Sequence, residues 1–163
     1  MARDCNVRIK FDGDNTVYDC KEQWGFILNK SSETIIPPTK DYDVEVYPEE
    51  NAAHVNNYAT YEPFDYTITF IAIGTEIDIN AKIRDFYNRC VDNNYINISM
   101  PNLKKMRKVT VYNDFRGVRF SGYAKPYKGK NIVSADGNNI NITFEFVVYV
   151  DDSSTLTDIT QHD

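Results

Sequence analysis

Tyr61-Glu-Pro-Phe-Asp-Tyr-Thr-Ile-Thr-Phe-Ile-Ala-Ile73, closed by Gly74 and followed by Thr75-Glu-Ile-Asp78, decides the fold class. Tyr66, Ile68, Phe70 and Ala72 fall on one side of an extended chain, and Thr67, Thr69, Ile71 and Ile73 on the other. That two-residue alternation is the signature of a strand, and its aromatic and branched side chains suit a pleated surface. Beyond Gly74 the period changes. Ile79, Ile83, Phe86, Tyr87, Cys90 and Val91 recur three and four apart, which predicts an amphipathic helix of about four turns. Thr75 and Asp78 stand in capping-box spacing, with the carboxylate near the positive end of the helix. Cys90 belongs to the apolar stripe and is expected to be a buried, inert thiol.

Outward from this centre nearly everything else reads as strand. Upstream, Asn6 to Phe11 alternates, Asp12-Gly13-Asp14-Asn15 supplies hairpin-turn chemistry, and Thr16 to Cys20 resumes the strand. Trp24 to Leu28 is a second apolar run, either a strand or a plug into the core. Residues 29–40 read as loop, broken by Pro37 and Pro38, and Asp43 to Tyr47 alternates again. The polar stretch 48–60 is a long connection of the kind that forms arms or flaps. Downstream, Lys108 to Tyr112, Val118 to Ala124 and Asn141 to Val150 are strands, with 125–139 an excursion rich in Lys and Gly. The expected class is α+β, mainly β: an antiparallel β-sandwich or split barrel with one amphipathic helix packed on a sheet. Residues 1–150 form one domain on this reading, and 151–163 a flexible C-terminal tail.

Composition narrows the function. With 163 residues, 42% apolar and 26% charged, the chain has globular proportions. Three cysteines (Cys5, Cys20, Cys90) cannot all pair, so a disulfide framework is not expected. The amino-terminal residues carry no secretory apolar run, and no stretch has the length of a membrane helix. The sequons at Asn29, Asn97 and Asn141 are ascribed to chance in an Asn-rich chain. The two histidines, His54 and His162, have no spacing that builds a zinc site with the cysteines. In Asp12-Gly-Asp-Asn15 the glycine comes too early for a calcium loop. No pair of carboxylates stands out as an acid and a base with opposed protonation demands. No enzyme, no cofactor and no metal are therefore expected.

Charge is unevenly placed. Residues 104–130 carry +8, the remainder −14, for a net charge of −6. The basic strands can pack beside acidic ones in one molecule, or the basic face can meet the acidic face of another copy. A nucleic-acid patch is a third reading, weakened by the overall charge and the absence of a known binding motif.

The order of these segments resembles a known family. A strand at Asp43 to Tyr47, a long loop, the aromatic-rich strand from Tyr61 to Phe70, one helix around Ile83-Arg-Asp-Phe86, Val109 to Asp114, the basic strand around Arg119 to Tyr123 and a closing strand Ile140 to Phe146 are similar, over about residues 40–150, to the first domain of phage distal tail proteins and the related tail-tube fold. Several segments also resemble prophage tail proteins of Bacteroides-type bacteria. The resemblance implies a structural protein of the virion tail, assembled in the bacterial cytoplasm. It would self-associate into a ring, usually of six subunits, that joins the tube to the baseplate or tip. Its partners would be other tail and baseplate proteins, with DNA only as passing cargo and no membrane. A second domain is not apparent, nor a counterpart for the amino-terminal hairpin and the Trp24 segment. An acidic lumen would repel phosphate, leaving the basic segment to face a neighbour. The contact residues expected on this reading are Lys104, Lys105, Arg107, Tyr112, Phe115, Arg116, Arg119, Phe120 and Tyr123. The alternative from another class is a small ligand- or carbohydrate-binding β-sandwich, using tyrosines such as Tyr123 and Tyr127.

Overall fold

Two twelve-residue strands, β6 (Phe64–Thr75) and β10 (Asn139–Val150), pair antiparallel along their whole length and form the axis of the molecule. The structure is a computed structural model that describes residues 6–41 and 59–159. In chain order the other strands are β1 (Val7–Phe11), β2 (Val17–Asp19), β3 (Ile27–Ser31), β4 (Thr39–Asp41), β5 (Ala59–Tyr61), β7 (Lys108–Asn113), β8 (Val118–Ala124), β9 (Lys130–Asp136) and β11 (Thr157–Asp158). The helices are α1 (Cys20–Trp24) and α2 (Glu76–Arg89). The main sheet runs β2-β1-β7-β8-β10-β6-β3, all antiparallel, with β9 on β10 and β11 on β8, while β4 and β5 form a separate ribbon.

The sheet folds back on itself. Asn113, at the end of β7, donates to Ser31 Oγ of β3 at 3.0 Å and to Tyr66 Oη of β6 at 2.8 Å, although these strands are far apart in the sheet order. The rings of Tyr66 and Phe120 meet at 4.2 Å between centroids. Both faces of this fold are therefore lined by one core, and the expected mainly β sandwich with a helix on its sheet is the architecture found. Gly122 in β8 shows how closely the strands approach: a Cβ there would lie 2.2 Å from the Tyr149 carbonyl oxygen of β10.

Helix α2 closes the open side of the sheet. The Thr75 hydroxyl accepts the Asp78 amide at 3.3 Å, as the capping spacing requires. Ile79, Ile83, Phe86 and Cys90 are buried, and the Phe86 ring lies 5.0 Å from Trp24 and 4.9 Å from Phe146. Such edge-to-face contacts add to the roughly 1.5–3 kcal/mol of burying each large apolar side chain. Trp24 Nε1 donates to Asp85 of the helix at 2.9 Å, joining α1 to α2. Burial raises both described thiols, Cys90 to about 12, which makes them poor nucleophiles.

Four expectations are adjusted or decided. The strand begun at Tyr61 is interrupted: Pro63, with no amide hydrogen, separates β5 from β6. Of the two readings for Trp24 to Leu28, Trp24 is the buried plug, at the end of a short helix capped by the Asp19 carboxylate and closed by Gly25 at φ 73°, and the strand starts only at Ile27. The excursion 125–139 contains β9, which makes a hairpin with β10 through a turn at Gly137. The tail expected to be unfixed after Asp151 is held through Asp158: Ser153 is buried and bonded to the Glu62 carbonyl, and β11 pairs with β8. The strand read at 43–47 and most of the 48–60 connection lie outside the described residues.

Candidate subunit interface

The strands place the basic residues on two surfaces. On the outer face of the sheet the register sets Arg8 opposite Tyr112, Tyr112 opposite Arg119, and Lys108 opposite Tyr123. The Arg8 guanidinium lies 4.7 Å over the Tyr112 ring and forms a two-bond pair with Asp114, both at 2.8 Å. That pair holds Arg8 charged and raises its pKa further. Arg119 Nε donates to Thr157 Oγ1 at 3.1 Å, and the Lys108 ammonium stands 5.9 Å over Tyr123. Lys104 and Lys105 are exposed on the loop between α2 and β7.

Several of the expected contact residues are committed inside the molecule. Phe120 is fully buried against Tyr66 and cannot face a neighbour, because its position in β8 points inward. Arg107 turns back to donate to the Asp12 carbonyl at 2.6 Å, with its guanidinium over Phe11. Arg116 pairs with Glu33 at 3.5 Å and stacks on the exposed Phe115. Lys125 pairs with Asp65, and Lys130 with Glu76. Arg116, Lys125 and Lys130 of the basic segment are therefore met by acids of the same chain, in partly exposed pairs each worth about 0–1 kcal/mol. The nine residues do not form one patch. Lys104 and Lys105 lie at one end of the β7–β8 hairpin, Phe115 and Arg116 at the other, and Tyr112, Arg119 and Tyr123 on its outer face.

A different concavity runs along α2. A groove of about 390 Å³ is lined by Tyr87, Val91, Leu103, Lys104, Met106 and Tyr127. A second hollow of about 270 Å³ continues it towards Asn80 and Arg84, with Tyr87 and Tyr127 common to both. Residues 80, 84, 87 and 88 are three and four apart, so one face of α2 forms most of the floor, with Val91 following past the helix end in a bridge to Met106. The Tyr87 and Tyr127 rings pack at 5.0 Å, and the Tyr87 hydroxyl donates to the Glu145 carbonyl. Burial raises the Tyr87 and Tyr127 hydroxyls, so both stay neutral donors. Beside the groove the 92–107 loop leaves Ile96, Ile98 and Met100 more than half exposed. The apolar stripe read from the sequence includes Tyr87 and Val91, and both are only half-buried. The groove draws on three segments distant in the chain, and no local pattern joins them.

No family model matches the chain, and no curated protein does. Among solved structures it is similar to the Dit protein of phage SPP1, described as a paradigm of the hub adsorption apparatus in phages infecting Gram-positive bacteria. Identity is 12% and the TM-score 0.44, over 87% of this chain and 49% of that one. The chain spans about half the length of that protein.

Proposed function

We propose that this chain is a structural subunit of a phage or prophage tail, which assembles into a ring between tail tube and tip and lets DNA pass. The observation that carries the reading is the exposure of Ile96, Ile98 and Met100 in the same loop whose Leu103 and Met106 line an open groove against α2. Three large apolar side chains left open within five residues of one loop are the kind of surface a partner covers. The order of the segments, similar to that of distal tail proteins, supports the same reading, as does an acidic chain that would repel the phosphates of passing DNA. Its work is adhesion, and no bond is made or broken.

Light scattering on the purified protein over a wide concentration range tests this. Discrete multimers of defined stoichiometry are the expected result, and strictly monomeric behaviour at the highest concentration would overturn the reading. The carbohydrate-binding alternative finds less support. Tyr123 stands beside Lys108 on the outer sheet face, whereas Tyr127 packs on Tyr87 of the helix, so the two rings do not make one platform.

A further inference from the structure

We infer that the groove along α2 receives the β9–β10 hairpin of a second copy of this chain, an inference that rests on the self-assembling reading above. The hairpin is the most exposed regular element: every residue from Asn131 to Asn139 is open to solvent. It carries two bare branched side chains, Ile132 and Val133, and beside it Ile77 of the first helical turn is 81% exposed. Lys130 fastens this end together, bonding Glu76 and Asn80 of α2. Asp78 follows Ile77 in the chain and Asp136 lies in the hairpin itself, while Glu76 is paired with Lys130. The groove has the opposite rim. Tyr87, Val91, Leu103 and Met106 are bordered by Lys104 and Arg84, with Lys128 next to Tyr127. One end of the molecule is thus apolar with an acidic border, and the groove is apolar with a basic one. That is the complementarity a contact between unlike surfaces needs.

The occupant must be another copy. The Lys130 bonds to Glu76 and Asn80 hold the hairpin at the first turns of α2, while the groove is lined by Tyr87 of the last turn and by Val91 past the helix end. So held, the hairpin of the same chain does not enter the groove, whose lining includes none of its residues. Strand-to-strand pairing through the outer edge of β9 is disfavoured, since the register slips between Ile132 and Ser134 and leaves Val133 as a bulge. Side-chain insertion remains. Each copy then offers one hairpin and one groove, which makes a head-to-tail contact that closes into a ring when the rotation permits.

Disulfide trapping tests this in the full chain. Cys20 and Cys90 are buried, so Cys5→Ser gives a background without an accessible described thiol. Ile132→Cys and Leu103→Cys are made in separate proteins, mixed and oxidised, with circular dichroism to verify folding. A covalent dimer from the mixture and none from either protein alone is the expected result. Asp136→Lys should reduce that dimer about tenfold by setting like charges together. Multimers that form without the mixed cross-link would overturn this inference while leaving the ring reading intact. A cross-link from Ile132→Cys alone would show a two-fold contact and overturn the head-to-tail arrangement. A protein that stays monomeric overturns both.

Discussion

Gly122 is a residue whose side chain is excluded by the backbone of another strand. With the Tyr149 carbonyl 2.2 Å from where a Cβ would sit, β8 cannot carry even alanine without moving off β10. Gly122→Ala is expected to cost about 1–3 kcal/mol or more, read as a lowered urea midpoint. Asp85 offers a test through pH. The Trp24 indole N–H, and secondarily Arg89, stabilise its charged form, so its folded pKa lies below that of the unfolded chain. A depressed carboxylate stabilises the fold above the unfolded value and loses that contribution as pH falls through the folded one. Thermal midpoints should therefore decline below about pH 4, and Asp85→Asn should flatten part of that decline. The effect is small because Asp85 is half exposed. Asp14 and Asp152 are lowered as well, by hydrogen bonds from Thr16 and Ser154 respectively.

Among elements, the closing segment is the clearest departure from expectation. Small polar residues after Asp151 contain no apolar pattern, yet the Asp152 carboxylate accepts the Ser154 amide at 3.0 Å and starts a short turn. Thr155 then accepts from the Ser121 amide at 3.1 Å, Leu156 packs against the core, and β11 covers the outer edge of β8. A chain ending at Asp151 would expose that edge and the Leu156 site. Its stability is expected to fall by about 1–3 kcal/mol, measured by denaturant unfolding. Helix α2 shows the opposite relation. Its cap and its length are local properties found where the spacing places them, whereas the stripe overruns the helix, which ends at Arg89 and leaves Cys90 as its cap and Val91 in a bridge with Met106. What the stripe does not reveal is that its edge, Tyr87 and Val91, is left half open, because that depends on how far the 92–107 loop reaches across it.

For the whole molecule the charge distribution makes its own prediction. The basic segment is partly neutralised by Glu33, Asp65 and Glu76 of the same chain, and Arg84, Lys104 and Lys128 around the groove are exposed. If unlike rims hold copies together, assembly should weaken as salt rises from about 0.05 to 0.5 M while thermal stability changes little. Sedimentation across that range checks it, and assembly indifferent to salt would assign the adhesion to apolar contact alone. The sequence by itself determined the strands with clean two-residue alternation, the one helix and its cap, and the mainly β class, because these follow from short-range periodicity and from which side chains leave water. Tertiary structure alone decided that Phe120 is core and not contact, that Arg107 and Arg116 are spent within the chain, and that Tyr87, Leu103 and Tyr127 share a groove. Those outcomes depend on how the sheet folds over so that Asn113 meets Ser31, a closure between strands eighty-two residues apart that no local pattern encodes.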